Sequence, residues 1–297
     1  MKKKLRMSTL WFITPALLPV LLFLVFPIIS GLFISFFDNH GTFVGLANYL
    51  DTFTDKRIIN LKQFPSYPPY GALIHNLVWV IFHLPLTIIL GLTFAILLKK
   101  TRGMTVVRTM IFLGMVVPMV VGGIMVRFLF SKNSGLIPHL FRILGIPSLY
   151  VNWTAHPQTA LIALIAISVW LWVGYAMVVY IAGLTTIPTV FYDVAALEGS
   201  SSMQTLKWIT IPMLKNSTSV IVLMTIIWEL KLFDLVYAST GGGPGNSTNV
   251  MALEMYLTAF KFNNPGKGMA IAVILTLITL IPIFFSVRQT LNPQSES

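Results

Sequence analysis

Apolar residues run in long blocks along this chain, and polar residues collect in the gaps between them. The blocks fall at about 10–37, 72–98, 106–130, 158–184, 217–237 and 267–287. Each reaches or exceeds the ~20 residues a helix needs to cross a bilayer. Six membrane-spanning helices in one domain, an all-α integral membrane protein, is the fold this pattern predicts. The first block is too long for the apolar core of a signal peptide and lacks an A-x-A-like cleavage site, so it reads as a retained span. Pro85 sits inside the second block and Pro118 inside the third, and a kink is expected at Pro85 because its missing N–H interrupts the ladder.

The gaps set the topology. Lys2, Lys3, Lys4, Arg6, Lys99, Lys100, Arg102, Arg108, Lys207, Lys215 and Arg288 mark one side of the membrane. By the positive-inside bias that side is the cytoplasm, with both termini in it. Segments 38–70, 131–157 and 239–266 then lie outside, and Leu136 to Leu144 has the apolar spacing of a helix on the membrane surface. Asn152 and Asn246 begin glycosylation sequons on these outer segments, and a third begins at Asn216.

Composition agrees and closes off other classes. Of 297 residues, 56% are hydrophobic and 10% charged. The net charge of +11 is scattered at block ends with no aromatic-interleaved patch, so nucleic acid is not the partner it implies. There is no cysteine for thiolate or iron–sulfur chemistry. The five histidines form no metal-ligand spacing, and no G-x-S-x-G occurs. The run Thr240–Gly245 lacks the G-K-[ST] of a phosphate loop, and no Walker motif or soluble ATPase domain is present.

Two stretches carry the remaining chemistry. Tyr192–Leu214, YDVAALEGSSSMQTLKWITIPML, is the long mixed segment of the second half. It reads either as two short helices joined at Gly199, the second capped by serine and ending at Pro212, or as a plain connecting loop. Asp193 and Glu198 on it do not converge as a catalytic pair. In the fifth block Glu229, Lys231 and Asp234, beside Trp228, place charge inside the bilayer. Lys231 and Asp234 are spaced to pair on one helical face. Glu229, with no partner within a turn, either accepts hydrogen bonds from sugar hydroxyls beside a Trp228 platform or serves pairing between helices. His83, in the second block, lines the interior or bonds a neighbouring helix.

Asp193, Val194, Ala195, Glu198 and Gly199, followed by Ile209, Ile211 and Pro212, resemble the "EAA" loop of permease subunits in binding-protein-dependent ABC importers, carbohydrate-uptake branch. Gly45-Leu46-x-Asn48-Tyr49 and the T-x-G-G-P-like run at Thr240 are similar to segments of the same family. The resemblance implies a type I importer permease fold with a cytoplasmic coupling helix in segment 185–214. Tyr192, Asp193, Ala195, Ala196, Glu198, Gly199 and Ser200 would meet the ATPase. It implies a second homologous permease, two cytoplasmic ATPases carrying ATP and magnesium, an external solute-binding protein, and no cofactor on this chain. It also implies a cell-membrane location and no enzyme activity in this subunit. By similarity to the larger maltose-importer permease, the substrate pathway would be lined by Trp170, Gly174 and Met177 before the loop and by Trp228, Glu229 and Leu232 after it. The implied cargo is a mono-, di- or oligosaccharide. The alternatives are a non-sugar solute such as glycerol 3-phosphate and, more distantly, a membrane enzyme.

Overall fold

The computed structural model describes residues 7–98 and 104–291. The cations Lys2, Lys3, Lys4, Arg6, Lys99, Lys100 and Arg102 lie outside the described residues. Among the described residues the chain is helical, and one antiparallel bridge, Phe37 to Phe43, replaces any strand. Four helices are long and apolar enough to cross a membrane, and six spans result if each of two bent pairs counts as one.

Helix α1 covers residues 7–34, with a π-turn at Leu21–Val25. Then come α2 (Ala47–Thr54), α3 (Ala72–Leu97), α4 (Met104–Val116), α5 (Met119–Leu129), α6 (Leu136–Ile143) and α7 (Pro157–Thr186). α8 (Val190–Leu197), α9 (Ser202–Met213), α10 (Lys215–Leu230), α11 (Asp234–Ser239), α12 (Met251–Tyr256) and α13 (Pro265–Leu291) complete the chain.

Two blocks read as single rods are broken. The third bends by 105° between α4 and α5, where Pro118 forms the N-cap of α5 in an extended conformation. Proline cannot donate the hydrogen bond that would carry α4 onward. The fifth ends early. α10 stops at Leu230, residues 231–233 break the ladder, and α11 restarts at Asp234. Lys231 and Asp234 therefore do not share a helical face. Both are exposed, and no ion pair joins them. α3, by contrast, runs unbroken through Pro85.

The helices pack as two compact units. Of the described residues, those within 7–55 and 254–277 form one, and those within 56–253 and 278–291 the other. In the first, α1 turns most of its apolar side chains outward from Ile13 to Ile34, Phe23 being 82% exposed. So many exposed apolar side chains on one helix suit lipid rather than water. The α1 terminus is held by the Asn48 carboxamide, which donates to the Ser35 and Phe37 carbonyls at 2.9 and 2.8 Å. The Tyr49 hydroxyl meets Ser35 Oγ at 2.6 Å. The glycine–leucine–asparagine–tyrosine segment thus closes the end of the first span, rather than only turning and anchoring the chain. Lys267 bridges Asp51 and Asp55, at 2.7 Å each, on the same unit.

In the second unit α7 is the central rod, packed by α3 and α4. Its approach to α4 is set by Gly174, where an added Cβ would stand 2.9 Å from the Ile111 carbonyl oxygen. At Gly91 on α3 an added Cβ would stand 2.6 Å from the Ala176 Cβ. Small residues let helix backbones touch in a bilayer, where van der Waals contact rather than water exclusion drives association. Below this seam Ala95, Leu98, Met177, Tyr180, Leu184, Leu214 and Ile221 form one buried cluster.

Candidate functional site

The second unit holds a continuous polar seam between α3 and α10. Residues His75, Asn76, Trp79, His83 and Thr87, spaced one, three, four and four positions apart, line the inner side of α3, and all are fully buried. Such a stripe inside a bilayer must be satisfied by protein. His75 Nδ1 donates to the Asn249 carbonyl at 2.7 Å, and its Nε2 accepts from the Tyr70 N–H at 3.1 Å, so both ring nitrogens are satisfied in the neutral form. The Asn76 carboxamide donates to the Glu229 carbonyl and accepts from the Met251 N–H, each at 2.9 Å. Trp79 Nε1 donates to Ser168 Oγ at 3.1 Å.

Glu229, also fully buried, sits at the last turn of α10. Its partner lies on another helix: His83 Nδ1 meets Oε1 at 2.6 Å. Three atoms around the pair, Glu229 Oε2, His83 Nε2 and Thr87 Oγ1, are buried with no hydrogen-bond partner. The His83 ring stacks on Trp228 at 5.4 Å, and Trp228 stacks on Trp172 at 5.0 Å. Trp172 is tied to α10 by its Nε1 hydrogen bond to Thr225 at 2.9 Å, and Tyr175 packs beside it. A carboxylate with one oxygen held and one free, next to a ladder of rings, can accept a hydroxyl and shelter an apolar sugar face.

Of the pathway residues read from the sequence, Trp228 and Glu229 fall in this cluster. Leu232 is buried in the break after α10. Gly174 faces the α4 backbone, and Met177 lies in the apolar cluster with Tyr180. The residue of α7 that meets Trp228 is Trp172, about 200° round the helix from Trp170. The sequence pattern assigns no role to Trp172, Thr87 or Asn76, although Trp172 belongs to a visibly tryptophan-rich run.

The run at Thr240 is more than an outer turn. Gly242 and residues Ser247, Thr248, Asn249 and Val250 are buried, and the segment is pinned to α3 through His75 and Asn76.

The Tyr192–Leu214 stretch resolves into α8 and α9. α8 ends in a left-handed glycine, Gly199 at φ 71°. The Ser200 N–H reaches the Ala195 carbonyl at 2.9 Å, and the Gly199 N–H reaches that of Ala196 at 3.1 Å. That paired closure is a Schellman cap. Ser201 then opens α9 with a capping box to Gln204. α9 carries a π-turn at Leu206–Thr210 and so passes Pro212 instead of ending there. Ala195 is buried, and the Tyr192 hydroxyl meets Thr210 Oγ1 at 3.3 Å. Asp193, Ala196, Glu198 and Ser200 are exposed, as are Val190, Val194 and Leu197, the last at 88%.

Residues 87–296 match the model of the binding-protein-dependent transport system inner membrane component. The chain belongs to that family. A "Probable ABC transporter permease protein" of Pyrococcus horikoshii is 43% identical over 286 residues, covering 95% of this chain and 98% of the relative. The trehalose/maltose transport system permease protein MalF of Thermococcus litoralis is 30% identical, covering 90% and 88%. A chain of a bacterial ABC transporter involved in import of the acidic polysaccharide alginate superposes with a TM-score of 0.77 at 17% identity, covering 97% of this chain and 98% of that one. This inner membrane component is thus a multi-pass membrane transport subunit with the permease fold, not an enzyme. Among the described residues no group of histidine, aspartate and glutamate is placed to hold a metal ion.

Proposed function

We propose that this chain is the sugar-translocating permease subunit of an ABC importer, coupled to its ATPase through α8. The observation that carries the proposal is α8 itself. It offers exposed Val190, Val194 and Leu197 beside Asp193 and Glu198, on a helix closed at its end by Gly199 and Ser200. An exposed apolar patch flanked by acids fits a cleft with a basic rim on another protein. Ala195 and Tyr192 anchor the inner side of α8, and Ala196 keeps its outer side low enough for close approach.

In this reading the bent pairs α4–α5 and α9–α10 count as one span each, so the chain crosses six times with both termini in the cytoplasm. It works beside a second homologous permease, two ATPases that bind ATP and magnesium, and an external solute-binding protein. Closure of the ATPases draws the coupling helices together and rocks the spans about the substrate path. Glu229 and Trp228, with Trp172 and His83, are the groups on that path suited to a hydroxyl-rich solute. A sugar as cargo draws support from the named cargo of the maltose-type relative.

The chain has no cysteine, so a single engineered thiol reports unambiguously. Ser200→Cys should cross-link to the ATPase, and Glu198→Lys should abolish uptake while leaving the chain in the membrane. A thiol at 200 that is labelled only from outside the cell would overturn the assignment.

A further inference from the structure

From Lys56 to Tyr192 the chain contains no aspartate or glutamate. Its cations there have no carboxylate of their own segment to meet. Three of them gather around the turn between α5 and α6. Arg127 lies in the last turn of α5. Lys132 and Arg142 both stand over the Tyr150 ring, at 5.2 and 5.1 Å from its centre. The negative face of the ring attracts both cations without neutralising them.

Arg127 lines a groove of about 390 Å³ with Ile124, Phe128, Ser131 and Ser134. One wall is apolar and exposed, Phe128 at 65%. The other carries a guanidinium and two hydroxyls. Ser134 also stands just before the N-terminus of α6, the positive end of that helix. Past it, Leu136, Leu140 and Ile143 form an exposed stripe at helical spacing, Ile143 being 79% exposed. The opposite face of α6 is fixed to the protein by buried Pro138 and by Phe141 stacked on Trp153 at 5.5 Å.

We infer that this groove binds the phosphate headgroup of an anionic phospholipid. Arg127 would grip the phosphate in fork geometry, and Ser131 and Ser134 would donate to its remaining oxygens. An acyl chain would lie along Ile124 and Phe128, with the α6 stripe sunk beside it. Charge complementarity and the apolar wall together select a lipid over a soluble anion or an acidic protein face. The inference stands on the groove and is independent of what the importer carries.

Native mass spectrometry of the full-length chain, released from micelles doped with phosphatidylglycerol or with phosphate-free diacylglycerol, tests it. Phosphatidylglycerol should be retained preferentially. Arg127→Gln should weaken that retention about tenfold or more, the scale of one charge-assisted contact, and leave diacylglycerol unchanged. Arg127→Lys should recover part of it, and Ser131→Ala with Ser134→Ala should weaken it in an otherwise intact groove. Equal retention of the two lipids would overturn the inference, as would indifference to Arg127→Gln. Displacement of the lipid by millimolar inorganic phosphate would mark a soluble-anion site instead. Loss only of solute-binding-protein capture in Arg127→Gln would make the surface a protein interface.

Discussion

Two regions of this permease carry carboxylates, and they treat them in opposite ways. Glu229 is fully buried, bound to His83 and surrounded by a seam of hydrogen bonds between α3 and α10. Asp193 and Glu198 stand exposed on α8 among exposed apolar side chains. A charge inside a bilayer persists only when its own protein compensates it. A charge set at the surface beside Leu197 is free for another molecule. Burial therefore separates the carboxylate held by the chain's own helices from those left open to solvent on α8.

The sharpest way to break the comparison is to leave the buried carboxylate without its partner. His83→Ala, which leaves both Glu229 carboxyl oxygens buried without a hydrogen-bond partner, should destabilise the detergent-solubilised protein by about 3 kcal/mol. Replacing both members with leucine should recover most of that loss. If the double variant melts as low as the single one, the pair is not what the seam depends on. Next comes Asn76→Ala, which removes hydrogen bonds to two backbone groups of separate segments, Glu229 and Met251. A loss of about 1–3 kcal/mol is expected, with faster amide exchange at Met251.

On the exposed side, Gly199→Ala should cost about 1–2 kcal/mol, because an alanine must adopt the left-handed backbone found there. Glu198→Lys should stay within about 0.5 kcal/mol in a thermal melt, so its loss of transport would be a loss of coupling.

Asp38 supplies an intermediate case, half-buried and compensated. The Thr42 N–H, and after it that of His40, hold its carboxyl below the ordinary value of 3.8. Its contribution to the turn is present above that value and fades as pH falls through the lowered one. Exchange of the Thr42 amide should quicken only in that acid range, and Asp38→Asn should remove the dependence.

Much of the fold was legible because lipid imposes a coarse rule: long apolar blocks become helices. The bends were less so. Pro118 announces an interruption, but the 105° turn is set by packing of α5 against α11, which no local pattern encodes. The seam was half legible. Glu229 stood out as a charge in an apolar block, whereas His83 lies far from it in sequence and pairs only because α3 and α10 pack together. The pairing imagined for Lys231 and Asp234 assumed a helix that stops at Leu230. Trp172 was hidden by its neighbour Trp170, since aromatic content says nothing about which face of a buried rod meets α10. The α8 turn was the most readable, because glycine and serine at Gly199 and Ser201 have few other uses in that spacing.

That turn has a mechanical consequence. Between the last residue of α8 and the first of α9, each backbone step is tied, first by the left-handed closure onto Ala195 and Ala196, then by the Ser201–Gln204 box. The joint has few unsatisfied backbone groups. A displacement of α8 would then pass to α9 with little loss, the elbow acting as a crank and not as a tether.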